Sequence, residues 1–161
     1  MQNIVYIAPD IAITGQLEAG DIAEAARLGF RGIVNNRVEN EEEGQLPSHA
    51  EAALAWRHGI AYRHVPAGKL DLFTDPVIAG LEDALANLPK PILLHCKSGM
   101  RSAIVWAAAA ARRTPVESVL AALEGAGFEL DFLRDELDAQ ADRHRWMPAP
   151  VPTVAEGELA A

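Results

Sequence analysis

The sequence places its one cysteine between a short apolar run and an alanine-rich segment. The string reads Pro91-Ile-Leu-Leu-His-Cys-Lys-Ser-Gly-Met-Arg-Ser102, so Cys96 ends a predicted buried strand and Arg101 opens a predicted helix. The start of a helix carries unpaired N–H groups and a partial positive charge, and both stabilise an anion. We therefore expect Cys96 to be held as a thiolate, the form of cysteine that acts as a nucleophile.

The residues that follow the cysteine predict an anion-binding loop. Gly99 permits a positive backbone φ or the close approach of a ligand. Loop amides together with the Arg101 guanidinium would form a cradle for an oxyanion, and Ser102 could donate to the thiolate or to a leaving group. The predicted loop members are Lys97, Ser98, Gly99, Met100 and Ser102. We expect Lys97 to add a cation at the mouth that attracts an anionic reactant.

Supporting roles are predicted for residues outside the loop. The side chain of His95 alternates to the other strand face from Cys96, which favours a hydrogen bond that holds the loop over direct acid–base work. Arg37 and Gln16 follow predicted strands and are candidates to line the site or to orient neighbouring loops.

Two aspartates are candidates for a general acid. Asp71 lies in the predicted loop 66–74, and Asp75 directly follows it. Asp75 precedes Pro76 in the pattern of a helix N-cap, so we assign the acid to Asp71. The acidic run Glu39–Glu43 is predicted to be a solvated loop and not a metal site, because it lacks a histidine at useful spacing. No metal or cofactor is implied.

Strand and helix patterns alternate along the chain. Short apolar strands are predicted at 3–7, 10–14, 32–35, 60–65 and 91–95. Helices are predicted at 17–28, 48–58, from 75 onward, 101–112, from the capping box at 114–117 to about 124, and 130–143. Capping boxes are predicted at Ser48 with Glu51 and at Thr114 with Glu117. The pattern predicts a three-layer α/β sandwich with a mostly parallel central sheet. We expect one domain over 1–145 and a Pro/Ala-rich tail or linker over 146–161.

Composition narrows the classes of protein. The 161 residues carry 14 Lys+Arg and 23 Asp+Glu, a net charge of −9, which disfavours binding to nucleic acid or to an anionic membrane. No apolar run approaches the roughly 20 residues of a membrane span, and the first residues lack a basic signal-peptide pattern. One cysteine excludes an internal disulfide framework. A cytoplasmic location is the expectation.

The motif His95-Cys96-x-x-Gly99-x-Arg101-Ser102 resembles the phosphate loop of cysteine-dependent protein phosphatases. Those loops place five residues between Cys and Arg, whereas four stand here, the spacing of rhodanese-type sulfur transferases. Over about residues 1–140 the chain is similar to the phosphatase-like domain of the beta-lactamase hydrolase-like (Blh) family. The matching pieces are Thr14-Gly15-Gln16, residues 29–37, residues 41–45, residues 59–66 and the cysteine loop. The resemblance implies a cysteine-phosphatase-like topology, and fusion to or association with a persulfide dioxygenase or a sulfide:quinone reductase.

Three functions compete for the Cys96 thiolate. On the four-residue spacing we predict a rhodanese-like sulfurtransferase, in which Cys96 takes sulfane sulfur from thiosulfate or a small persulfide and passes it to a thiol acceptor. The alternative is a phosphatase of the tyrosine or dual-specificity type, acting on a phosphate ester through a phosphocysteine with Asp71 as the acid. A second alternative is a thiol redox sensor without enzymatic turnover.

Overall fold

A computed structural model describes residues 1–146 of the chain. Its centre is a five-stranded sheet in the order β1-β2-β5-β3-β4. The strands are β1 Val5–Ala8, β2 Ile11–Thr14, β3 Gly32–Asn35, β4 Ala61–His64 and β5 Ile92–His95. The edge strand β1 pairs antiparallel with β2, with a register shift between Tyr6 and Ala8. The other four strands are parallel to one another.

The parallel register aligns the strand ends that carry polar residues. Thr14 of β2 and Asn35 of β3 both pair with His95 of β5, and Asn35 also pairs with His64 of β4. In open parallel sheets, ligands bind outside the carboxyl ends of the strands. The fold therefore brings the segments that follow β2, β3, β4 and β5 to one edge.

Helices cover both faces of the sheet, which confirms the predicted three-layer α/β architecture. Side chains of the central strand are fully buried, among them Ile92, Leu93 and Leu94, and burial of one such side chain contributes about 1.5–3 kcal/mol. Leu93 packs in the core cluster on one face, whereas Ile92 and Leu94 pack on the other. The helices are α1 Ala19–Arg27, α2 Ser48–Arg57, α3 Asp75–Asn87, α4 Met100–Ala111, α5 Val116–Gly125 and α6 Arg134–Trp146, with a 3₁₀ turn at Asp131–Leu133.

The two predicted capping boxes are wrong. The N-caps of α2 and α5 are Pro47 and Pro115, and neither cap has a side-chain hydrogen bond. Ser48 instead begins α2, which leaves Glu51 free to turn inward, where it is buried. The sequence pattern is a valid capping signal only when the backbone of the serine or threonine is extended.

Helix α6 is the last element of the described part of the chain. Helix α6 extends to Trp146, and the rest of the predicted tail lies outside the described residues. Within residues 1–146, no helix combines the length and apolar character needed to cross a membrane.

Candidate active site

The cysteine loop lies between the central strand and a twelve-residue helix. Cys96 follows β5 and Gly99 is the N-cap of α4, with a left-handed backbone at φ 91°. This turn brings the Gly99 N–H to the Cys96 sulfur, with an N–S distance of 3.1 Å. The loop backbone therefore wraps around the sulfur atom, with the Gly99 amide directed at it.

Gly99 is required for two separate reasons. Its φ lies where L side chains are strained. In addition, a Cβ at this position would meet Ile13 Cγ2 at 3.1 Å and the Thr14 carbonyl oxygen at 3.4 Å. The loop is also tied to the end of β2, because the Gln16 N–H donates to the Lys97 carbonyl at 2.9 Å. The close approach of Gly99 to Ile13 and Thr14 and the Gln16–Lys97 bond hold the cysteine loop against the end of β2.

The Arg101 guanidinium is held by groups from two other loops. Its Nη1 donates to Glu41 Oε1 at 2.5 Å and to the Ala67 carbonyl at 3.0 Å, and its Nη2 donates to Glu41 Oε2 at 2.9 Å. Three of its five N–H groups are therefore engaged. The remaining pair, on Nε and Nη2, forms the edge that can grip an anion in a forked geometry.

Glu41 is the residue that anchors this arginine. Burial opposes ionisation of its carboxyl group, but hydrogen bonds from Arg101, the Val38 N–H and Arg37 together lower its pKa to about 2. The carboxylate in turn raises the pKa of Arg101, and the neighbouring Cys96 sulfur adds to this effect. The side chain of Glu41 is 18% exposed, so the prediction of a solvated acidic loop is wrong at this position.

Two further cations near the cysteine loop, Arg37 and Lys97, also form ion pairs. Arg37 is buried and donates from Nη2 to Glu42 Oε1 at 2.8 Å, and it also contacts Glu41. Lys97 Nζ lies 3.2 Å from Glu42 Oε2. Lys97, which was predicted to add a cation at the mouth, is thus paired with Glu42, and Arg37 lies among the carboxylates of the acidic loop.

Ser102 bonds within the protein and does not donate to the cysteine. Its hydroxyl is fully buried and donates to Asn36 Oδ1 at 2.8 Å, while Asn36 Nδ2 donates to the Val65 carbonyl at 2.9 Å. The Asn36 N–H also donates to the His95 carbonyl. This chain of bonds joins α4 to the ends of β3, β4 and β5.

His95 belongs to a second buried network. Its Nε2 bonds to the carboxylate of Glu51 on α2, and both side chains are at most 2% exposed. Asn35 Nδ2 donates to Glu51 Oε2 at 3.3 Å and to the Tyr62 hydroxyl at 3.0 Å. Burial and the nearby Glu51 charge raise the pKa of Tyr62. The His95 side chain therefore bonds to Glu51 of helix α2. It does not form the predicted hydrogen bond that would hold the cysteine loop.

The two candidate acids, Asp71 and Asp75, have different surroundings in the structure. Asp75 is the first residue of α3, and its carboxylate binds Arg112 at 3.0 Å and Arg143 at 2.7 Å, so it joins α3, α4 and α6. The N-cap of α3 is Thr74 and not the predicted Asp75. Asp71 is exposed, in the loop whose Ala67 carbonyl contacts Arg101, and its carboxylate lies beside Gly68.

Several residues that shape the site were not assigned to it from the sequence. They are Glu41, Glu42, Asn36 and Glu51. Two of the site residues could have been expected from their position after β3. Asn36 and Arg37 directly follow this buried strand, which ends at the same edge of the sheet as the strand before Cys96. Cys96 itself is completely buried. Among residues 1–146 there is no group of three potential metal ligands.

This arrangement of sheet, cysteine loop and helix defines a cysteine-phosphatase-like protein. Residues 3–113 match the sequence model of the beta-lactamase hydrolase-like protein, phosphatase-like domain. The chain belongs to that family, as its sequence predicted. A beta-lactamase hydrolase-like protein of Xylella fastidiosa (strain Temecula1) is 37% identical over 105 residues, which are 65% of this chain and 24% of that protein. The chain thus spans about a quarter of the length of this curated relative.

Solved structures share the fold at low sequence identity. A protein of Neisseria meningitidis, described as a candidate phosphatase, superposes with a TM-score of 0.74 at 24% identity, covering 85% of this chain and 97% of that one. Kinase associated phosphatase, solved with its catalytic-site cysteine changed to serine, superposes with a TM-score of 0.64 at 16% identity, covering 86% and 89% of the two chains.

The predicted sulfurtransferase is wrong. The family is that of a phosphatase-like domain, and the structural neighbours are phosphatases. The spacing of four residues between Cys96 and Arg101 differs from the five of phosphatase loops, but the family and the fold of the rest of the chain outweigh it. No finding supports the predicted sulfur donor, thiol acceptor or fused sulfur-metabolism partners. The cytoplasmic location and the redox-sensor alternative stay predictions.

Proposed function

We propose that this domain is a cysteine-dependent phosphatase that hydrolyses phosphate monoesters through a phosphocysteine on Cys96. The observation that carries the proposal is the pairing of two features at one helix start. The Gly99 N–H points at the Cys96 sulfur, and Arg101 is held by Glu41 with one edge of its guanidinium left for an anion.

In the first step, the Cys96 sulfur attacks phosphorus. An S–P bond forms, the bond between phosphorus and the ester oxygen breaks, and the electron pair stays on the leaving oxygen. Loop amides and Arg101 hold the phosphoryl oxygens, whose charge is spread most widely in the transition state. Since the thiolate is the nucleophile, no base is needed to activate it.

Asp71 protonates the leaving oxygen in this proposal. An alkoxide leaves poorly without a proton, and a carboxylic acid near the ester oxygen supplies one. The support is the position of Asp71 in the 66–74 loop, which also contributes the Ala67 carbonyl to Arg101. In the second step, water attacks phosphorus, the S–P bond breaks, and the Asp71 carboxylate accepts the proton of that water.

The short loop makes Arg101 more important for stabilising the phosphoryl oxygens. Four residues separate Cys96 from Arg101, so the backbone offers fewer amides to the three phosphoryl oxygens than a five-residue loop does. We infer that Arg101 supplies a correspondingly larger share of the stabilisation. This explains why two carboxylate oxygens and a carbonyl are committed to fixing its position.

The test is hydrolysis of p-nitrophenyl phosphate by the full chain, with Cys96→Ser as the control. The proposal predicts steady release of p-nitrophenol by the wild type and none by Cys96→Ser, because an alcohol is not ionised at neutral pH. Absence of turnover by the wild type on this ester and on a phosphotyrosine peptide would overturn it. Equal turnover by Cys96→Ser would also overturn it.

A further inference from the structure

A polar cleft of about 530 Å³ adjoins the cysteine loop. One wall is formed by residues 16–20 at the start of α1, and the other by Arg37 and residues 42–46. The cleft is joined to the site by two contacts described above, from the Gln16 N–H to the Lys97 carbonyl and from Arg37 to Glu41. These two contacts place the cleft next to the cysteine loop, whose own residues 96–101 are not part of the lining.

The residues that line the cleft carry more negative than positive charge. Among the described residues that line the cleft, Arg37 is cationic, whereas Glu18, Glu42 and Glu43 are anionic. The Arg37 guanidinium is buried, and its Nε and Nη2 are bound to Glu41 and Glu42. Lys97 is bound to Glu42 as well. Glu42 is thus itself paired with two cations, whereas Glu43 is exposed and forms no ion pair within residues 1–146. A second anionic group in the cleft would therefore face the unpaired carboxylate of Glu43.

We propose that this cleft selects singly phosphorylated carriers that are neutral or basic beside the phosphate, and that it rejects polyphosphorylated or acidic carriers. The inference rests on the proposed function, since it names the substrate class of the same site. The phosphoryl group itself is bound by the loop and Arg101, while Glu42 and Glu43 decide which carrier is accepted. Their carboxylates attract cationic groups and repel anionic ones.

The size of the effect follows from simple electrostatics. Two unit charges about 4 Å apart in water change an equilibrium constant about fivefold. Exposed charges are screened over about 10 Å at 0.1 M salt. We expect a basic carrier to be preferred about tenfold over an acidic one at low salt, and the preference to shrink towards about twofold at 0.5 M salt.

The experiment compares two phosphotyrosine peptides that differ only in having Lys or Glu on both sides of the phosphotyrosine. Their kcat/KM values are measured with wild type, and their Kd values with Cys96→Ser. Glu43→Gln and Glu42→Gln should each reduce the ratio between the peptides about threefold. Glu124→Gln, which removes one exposed charge on α5, is the matched control and should leave the ratio unchanged.

The outcomes separate the two proposals. A preference for the Lys-flanked peptide that both cleft variants weaken and Glu124→Gln does not supports the inference. Equal kcat/KM and Kd values for the two peptides, or the same loss of preference in Glu124→Gln, would overturn it. If wild type hydrolyses neither peptide nor p-nitrophenyl phosphate, the proposed function fails, and the Kd ratio of Cys96→Ser still decides whether the cleft selects by charge.

Discussion

Replacing Glu41 by glutamine removes the charge that anchors Arg101 while keeping the shape of the side chain. In the wild type the carboxylate accepts two hydrogen bonds from Arg101 and one from Arg37. Glutamine can accept such bonds through one oxygen only, and bonds to an ionised group are roughly twice as strong as neutral ones. We therefore expect Arg101 to lose its fixed position.

The structure sets the expected magnitude. Lowering the pKa from 4.5 to about 2 corresponds to at most about 3 kcal/mol of stability. Since Glu41 and Arg101 are 18% and 15% exposed, solvent reduces this to about 1–2 kcal/mol. A poorly placed arginine should lower kcat about 10–30-fold, less than the 10²–10³-fold typical of losing an oxyanion donor altogether.

The assays are urea denaturation and hydrolysis of p-nitrophenyl phosphate. Glu39→Gln is the matched control, because Glu39 lies in the same loop but bonds to the Ser48 N–H, and its kcat should stay within about twofold of wild type. A Glu41→Gln variant with unchanged kcat would refute the anchoring role. So would a rise in kcat/KM, which would mean that Glu41 competes with the substrate for Arg101.

Other predictions follow from the same contacts. Arg101→Lys should lower kcat/KM about 30–1000-fold, because lysine cannot form the forked grip; kinetics equal to wild type would contradict the role of the guanidinium. Asp71→Asn should slow hydrolysis of an alkyl phosphate more than that of p-nitrophenyl phosphate, whose leaving group needs little protonation; equal losses on both esters would argue against Asp71 as the acid. Asp75→Asn should leave kcat unchanged but lower stability by about 1 kcal/mol, since its ion pairs to Arg112 and Arg143 are partly exposed; a large fall in kcat would point to Asp75 instead. The folded-state pKa of Glu41 is depressed, so its contribution to stability is full above pH 4.5 and is lost as the pH falls towards 2. The difference in urea midpoint between wild type and Glu41→Gln should therefore narrow below pH 4.5, and a constant difference would contradict the pairing.

Local patterns were sufficient to predict the fold. The apolar runs of β3 and β5 are buried as expected, and the alanine-rich helix α4 begins within one residue of its predicted start. The position of Cys96 between strand and helix followed from adjacent residues in the chain. The exact helix starts were less predictable, because the N-caps of α2, α3 and α5 are Pro47, Thr74 and Pro115 and not the expected polar residues.

Contacts between distant segments could not be predicted in the same way. Glu41 and Arg101 are 60 residues apart, and a run of glutamates gives no sign of which member turns inward. Glu51 likewise has the spacing of a capping residue, yet it is 44 residues from the histidine that it binds. Sheet register brings these pairs together, and register is a property of the whole fold.

The spacing of the cysteine loop shows how a local signal can mislead. Four residues between Cys96 and Arg101 favoured sulfur transfer when the loop was considered alone. The family and the surrounding fold point instead to phosphate chemistry. Loop length determines how many amides face the anion, whereas the class of reaction depends on the whole site, to which we propose that Asp71 contributes the acid.

The nucleophilic role of Cys96 is tested most directly by trapping the phosphocysteine intermediate. Wild type and Cys96→Ser are each mixed with p-nitrophenyl phosphate and quenched in acid within milliseconds. The mass of each protein is then measured by intact-protein mass spectrometry. We expect an added phosphoryl group on the wild type alone, located at Cys96 after digestion. Turnover of the ester with no phosphoryl adduct at any quench time, or an adduct on another residue, would contradict it.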